Sequence, residues 1–214
     1  MIKYTPLLLI FVFCTNVFAE GGSSSVGDGG IGAICDNVPK EREIELFDLF
    51  ESRVQNRESE IQLGNKELSL RDKVALGLSR LILPASETNR VYRAADQFIR
   101  FRIDPWELGL AWQYSHFLLP HIDIAADAED SLNRNDCDLV VLAIRPNDND
   151  SYDGLCSHSK AGREYCFLVS EKHFRQMKKD QQACLVIHEA LRFLPNAQTE
   201  EQLRLLTTKL CTGK

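Results

Sequence analysis

Six cysteines, Cys35, Cys137, Cys156, Cys166, Cys184 and Cys211, are scattered so that no two of them form a CxxC pair. That spacing disfavours a zinc ribbon and a thioredoxin-type redox site, both of which need two sulfurs about one turn apart. An even number of cysteines in an oxidising compartment instead implies up to three disulfides, which restrict the chain to folds that bring distant segments together. Proximity in sequence favours Cys156 with Cys166, across a hairpin-like loop. Cys184 with Cys211 would tie two successive helices, and that leaves Cys35 for Cys137.

The N-terminus supplies the oxidising compartment. Met1-Ile2-Lys3 is a short basic start, Pro6 to Phe13 is almost unbroken apolar sequence, and Val17-Phe18-Ala19 has the small-residue pattern of a cleavage site. Residues 1–19 therefore read as a bacterial signal peptide, with a periplasmic or secreted destination. The apolar run is too short for a permanent membrane anchor. The seventh cysteine, Cys14, follows Phe13 rather than a small residue, which argues against a lipid-accepting site. Cleavage after Ala19 removes one Lys and no acid, leaving 24 basic against 31 acidic residues and a net charge of −7. Such a balance argues against nucleic acid, whose phosphates demand a basic footprint. No later segment is apolar enough to span a membrane. The longest candidate, Leu139 to Ile144, reads as a strand.

Residues 20–34 are dominated by Gly and Ser and read as a flexible leader; residues 35–214 are then expected to form a single globular domain. Ile34-Cys35 starts a short strand. From Glu41 the spacing is helical, with Ile44, Phe47, Phe50 and Val54 on one stripe and Leu46 and Leu49 widening it. Ser69 with Asp72 caps a second helix carrying Val74, Leu78, Leu81 and Ile82, ended by Pro84. A third, from about Glu87, carries Val91, Ala94, Ala95, Phe98 and Ile99, and Pro105 opens an aromatic helical segment over residues 105–120. Cys137 to Ile144 is short and rich in β-formers, hence a buried strand, and Glu164 to Val169 is a second. Between them Arg145 to Arg163 is a polar loop. Ser170 starts another helical region, Gln181 to Leu194 is a helix stopped by Pro195, and Thr199 with Gln202 is a capping box for the last helix. There Leu203, Leu206 and Leu210 face inward. The expected fold class is α+β: a mainly helical, disulfide-stabilised domain with a small sheet of two or three short strands.

His188-Glu189-Ala190-Leu191-Arg192 is the sharpest chemical signal. A zinc protease helix carries His-Glu-x-x-His, in which two His one turn apart hold the metal and the Glu takes a proton from bound water. Here the second His is Arg192, and a guanidinium has no lone pair for a metal. At about 100° per residue, Gln181, Gln182, His188, Glu189, Arg192 and Asn196 share an arc of roughly 120°, into which only Leu185 intrudes. A hydrated amphipathic face with an i,i+3 Glu189–Arg192 pair accounts for this pattern. His188, Glu189 and Arg192 remain the candidate catalytic residues, with His188 the candidate metal ligand. His121, followed by Asp123 and Asp127, is the best distant partner; His158 and His173 are weaker, and His116 packs among Tyr114 and Phe117.

Asp148-Asn149-Asp150-Ser151-Tyr152-Asp153-Gly154 fails as a calcium loop. Tyr152 and Asp153 stand at the fifth and sixth positions and Ser159 at the twelfth, where a bidentate carboxylate is needed. There is no GxSxG elbow, phosphate-cradling glycine loop or cofactor fingerprint. The order of segments, however, resembles a group of uncharacterised secreted proteins from predatory and related soil bacteria. The likeness rests on the Gly-Asp-Gly-Gly leader, Glu45-Leu46-Phe47-Asp48-Leu49-Phe50-Glu51, Cys137-Asp138-Leu139, and the late Ala183-Cys184-Leu185-Val186-Ile187-His188-Glu189 helix. This chain departs from the pattern where Ile31 follows the glycines in place of an acid. The resemblance implies an exported protein and carries over no catalytic residue.

Two functions are compatible with these features. One is a non-enzymatic periplasmic or secreted domain that binds a protein or envelope component, without cofactor and with no cleft converging on His188. The alternative is an atypical zinc-dependent hydrolase, in which another His, Asp or Glu approaches His188 in a concave site. The broken motif leans against an enzyme.

Overall fold

A computed structural model of the chain describes residues 30–35, 44–55, 60–104, 126–144, 156, 165–194 and 199–214. The expected signal peptide, most of the expected leader, the 105–120 segment, nearly all of the 145–163 loop including Asp148 to Gly154, and His116, His121, Asp123 and His158 lie outside the described residues. The rest is α+β, as expected, with seven helices and two small antiparallel sheets among the described residues.

The chain enters as β1 (Ile31–Cys35), the central strand of a three-stranded sheet between β2 (Ile44–Leu46) and β3 (Cys137–Val141). The leader therefore ends before the expected boundary at residue 34, because Ile31 pairs with Val141 and Gly32 with Leu46. Gly32 is the close approach that permits this: a Cβ there would stand 2.8 Å from Ile44 Cγ2 and 2.9 Å from Leu142 Cδ1. Ile44 to Leu46, expected to begin a helix, is instead strand. Its backbone completes the ladder with β1, and helix α1 (Phe47–Val54) starts only afterwards.

Helix α2 (Leu70–Leu78) opens where predicted, with Ser69 Oγ accepting from Asp72 N–H at 3.2 Å. It stops before Pro84, which instead precedes α3 (Ala85–Arg100). Leu81 and Ile82 consequently lie beyond the helix, and Ile82 is 98% exposed. Helix α4 (Ala126–Arg134) leads into β3, and the expected 137–144 strand breaks at Leu142 into β3 and β4 (Ala143–Ile144). The break has a cause: the N–H groups of Leu142 and Ala143 both donate to Gly30 O, at 2.7 and 3.1 Å. Strand β4 pairs with β5 (Leu168–Val169), a shorter strand than the expected 164–169. Ser170 caps α5 (Glu171–Gln176), followed by α6 (Lys179–Leu191) and α7 (Glu200–Thr212), whose Thr199–Gln202 capping box is present on both sides.

Helix α6 is the hub. Ala183, Cys184, Leu185, Val186, Ile187, Ala190 and Leu191 join one apolar core with residues of β2, α1, α2, α3, α5 and α7, among them Leu46, Leu49, Val74, Phe98, Phe174 and Leu203. A second cluster, with Ile31, Ala33, Phe47, Phe50, Ala128 and Leu132, fills the space between the three-stranded sheet, α1 and α4. Disulfides connect Cys35 with Cys137, Cys156 with Cys166 and Cys184 with Cys211, the pairing expected from the sequence. Cys35 and Cys137 are also direct partners in the β1–β3 ladder. Among the described residues no helix is long and apolar enough to cross a membrane. The three disulfides fit an exported protein.

Candidate functional site

The polar arc of α6 is not a hydrated surface. His188 is 1% exposed and Glu189 is fully buried. An isolated helix with this pattern would present the arc to water, but α6 is buried continuously from Ala183 to Leu191, so the polar groups there meet protein. Gln181 Oε1 accepts from Leu46 N–H at 2.9 Å and fixes the β2–α1 junction, where no side chain caps α1. Gln182 Nε2 donates to Phe174 O at 2.7 Å, satisfying a carbonyl at the end of α5. Glu189 Oε1 accepts from Gly30 N–H at 2.7 Å and so holds the entry to β1. A Cβ at residue 30 would collide with Leu185 Cδ1, so any larger residue at that junction must displace this buried side chain. The expected surface helix is thus a central strut, because buried polar groups in a folded chain must find partners.

His188 is the centre of the densest group. Its Nδ1 lies 2.6 Å from Asp48 Oδ2, delivered by α1, with Thr207 Oγ1 of α7 3.4 Å from the same nitrogen. Its Nε2 faces the Arg192 guanidinium at 3.2 Å and Glu200 Oε1 at 3.6 Å. Arg192 also donates to both Glu200 oxygens, at 3.1 and 3.2 Å. The expected Glu189–Arg192 pair exists only as a 3.7 Å approach, while Glu200 takes the guanidinium.

The electrostatics follow from this crowding. Burial alone pulls His188 towards neutrality, but the Asp48 charge and hydrogen bond outweigh it and leave the imidazole pKa raised. Burial pushes the Asp48 carboxyl up; the opposing pull of His188, with Arg204 and Arg192 behind it, leaves it lowered. Glu200 is raised, chiefly by burial. Asp48 and Glu200, on different helices, are therefore driven in opposite directions.

A cleft of about 400 Å³ opens beside this group, between α1 and the first turns of α7. Asp48, Ser52, Glu200 and Arg204 line it, so two partners of His188 form part of its wall. His188 itself does not line it. Arg204, 9% exposed, spans the cleft wall: its Nη1 is 3.5 Å from Glu51 Oε2, its Nε is 3.9 Å from Glu200 Oε1, and its guanidinium lies over the Phe47 ring at 5.3 Å.

Of the residues singled out from sequence, His188, Glu189 and Arg192 are brought together, but as interior bracing. Asp127 is not brought to them; it is exposed at the start of α4, where its Oδ1 accepts from Ala128 N–H. His173 belongs to a helix start, with Nδ1 3.0 Å from Ser170 Oγ. Asp48, Glu200, Arg204 and Thr207 were not anticipated. Asp48 had one usable signal, an acid flanked by Phe47 and Leu49 on the apolar stripe of α1, while Glu200 and Arg204 look like any charged residue of a capped helix.

The donor set does not suit a catalytic metal. The open nitrogen of His188 faces a permanent cation, Arg192, and among the described residues no group of three or more His, Cys, Asp or Glu side chains is placed to hold an ion. Comparison of the chain with family models, with curated proteins and with solved structures finds no match.

Proposed function

We propose that the protein is an exported bacterial binding domain without catalytic activity, and that it seats a small polar ligand in the cleft between α1 and α7. The observation that carries this is a cleft of about 400 Å³ in whose wall two charged residues, Asp48 and Arg204, are almost fully buried and held in place. Asp48 is fixed by His188, and Arg204 is held between Glu51 and Glu200 over Phe47. Such walls lose little freedom when a ligand arrives, which favours recognition.

Burial also speaks against chemistry by the candidate catalytic residues. A general acid or base must come within hydrogen-bond distance of its substrate. With 1% and 0% exposure, His188 and Glu189 cannot do so in this arrangement. The signal-peptide pattern, the disulfides and the resemblance to secreted bacterial proteins support action outside the cytoplasm, in the periplasm or the medium. The ligand would come from the envelope or its surroundings.

The test is a two-dimensional NMR ligand screen on the mature, oxidised protein with a library of small polar molecules. Hits whose amide shifts cluster on residues 48–55 and 199–208 support the proposal. An absence of hits, or hits clustered elsewhere, refutes it.

A further inference from the structure

Charge is unevenly distributed over the chain. Between residues 70 and 100, which hold α2 and α3, six Lys and Arg stand against three Asp and Glu, a balance of +3 in a chain whose total is −6. The remaining residues therefore carry −9. Two of the six cations are turned inward. Lys73 is buried and donates to Leu63 O and Asn65 O, and the Arg80 guanidinium donates to Leu210 O and Gln62 O. The other four, Arg71, Arg90, Arg93 and Arg100, are exposed.

Helix α3 sets three of these in a row. Val91, Ala94, Ala95 and Phe98 form its buried face. At about 100° per residue, Arg90, Arg93 and Arg100 fall within roughly 80° of one another, away from that face. A rise of about 1.5 Å per residue makes the row about 15 Å long. The acids of the two helices do not neutralise it. Asp96, on its flank, is one carboxylate serving two guanidiniums, Arg71 from α2 and Arg100, whose side chains stay 54% and 52% exposed. Asp72 is held at the α2 cap by Ser69 Oγ, and Glu87 lies off the arc in the first turn of α3. The same excess continues past the helix end, where Arg102 and Arg175 share Glu171.

We propose that this arginine face docks the protein on an anionic phospholipid bilayer. Guanidinium groups recognise phosphate through paired hydrogen bonds. The row runs along the outside of a helix, which suits an extended array of phosphates better than a single small anion. Anionic lipid presents such an array, and the signal-peptide pattern directs the chain to the envelope that contains it. The same lipid repels the −9 carried by the remaining residues, so the asymmetry turns α3 towards the bilayer. None of the residues lining the cleft belongs to α3, so the two readings stand or fall separately.

The test is co-sedimentation of the mature, oxidised protein at low salt with two kinds of vesicle, phosphatidylcholine alone and an equal mixture with phosphatidylglycerol. Binding is expected to the mixed vesicles only, and to disappear at about 0.5 M salt, where screening leaves charges a reach of a few ångströms. Arg93→Gln/Arg100→Gln is expected to weaken partitioning about 25-fold, roughly fivefold for each cation removed from such a surface. Both side chains are exposed and Asp96 keeps Arg71, so thermal stability should not change. Lys209→Gln/Lys214→Gln removes the same charge from exposed positions at the C-terminal end of the chain and should leave partitioning in place. No binding to the mixed vesicles, equal binding to phosphatidylcholine alone, or an equal loss in the two double variants overturns the proposal. Binding to a short DNA duplex but not to the mixed vesicles also overturns it.

Discussion

Replacing His188 with Ala separates a buried brace from a surface histidine. The substitution removes an imidazole that is 1% exposed and leaves Asp48, 4% exposed, without the Nδ1 donor at 2.6 Å. Breaking a buried charged pair from one side typically costs about 3–5 kcal/mol, because the surviving charge keeps its desolvation penalty. The cavity left behind adds to the cost; the nearby Arg192 and Arg204 offset part of it by partnering the carboxylate. A net loss of about 3 kcal/mol is therefore expected, which for a chain of this length lowers the melting temperature by on the order of 10 °C. The assay is urea and thermal unfolding of the mature protein followed by circular dichroism, with disulfides intact. A companion Asp48→Ala/His188→Ala double variant should lose less than the sum of the two single variants, giving a coupling energy of about 1–3 kcal/mol. A His188→Ala loss under about 0.5 kcal/mol, the range of ordinary surface substitutions, would refute the burial of His188 and return it to the solvent.

The pH dependence of the same pair has a definite sign. With its pKa raised, His188 contributes stability that is complete below its ordinary value of 6.5 and fades as pH climbs through the raised one. Asp48, lowered, contributes above its ordinary value of 3.8 and less as pH falls through the depressed one. The difference in urea midpoint between wild type and His188→Gln should therefore be largest between these limits and shrink at alkaline pH; a difference that grows at alkaline pH contradicts the assignment. Gly30→Ala forces a methyl into Leu185 and towards Glu189 Oε1, 3.2 Å from the added carbon. It should cost about 1–3 kcal/mol in the same unfolding assay. Removing the Cys184–Cys211 bridge by double alanine substitution opens a loop with a sequence separation of 27, and the chain-entropy relation gives a loss of about 3.5 kcal/mol. That is checked by comparing urea midpoints.

Local signals carried over where local physics decides the outcome. Ser69 and Thr199 cap the helices they announce, since a side-chain oxygen and an N–H two or three residues on need nothing else. Proximity picked out the Cys156–Cys166 bridge, and the β-rich 137–144 segment became strand on both sides of Leu142. Periodicity misplaced boundaries where the partner of a segment mattered. Ile44 to Leu46 fits a helical stripe, yet it is strand because β1 lies beside it to take its hydrogen bonds.

The candidate site divides along the same line. The sequence by itself determined that α6 would carry His188, Glu189 and Arg192 on one arc, because the helical period places them there. It also determined that Arg192 cannot ligate a metal, because that is a property of the guanidinium. What surrounds the arc was decided by tertiary structure alone. Asp48 lies 140 residues from His188 in sequence, and Gly30 lies 159 from Glu189. No periodicity within one helix encodes contacts at that separation. They arise because the apolar remainder of α6 is large enough to bury the helix from Ala183 to Leu191, and burial turns a polar face into a set of groups that must each find a partner.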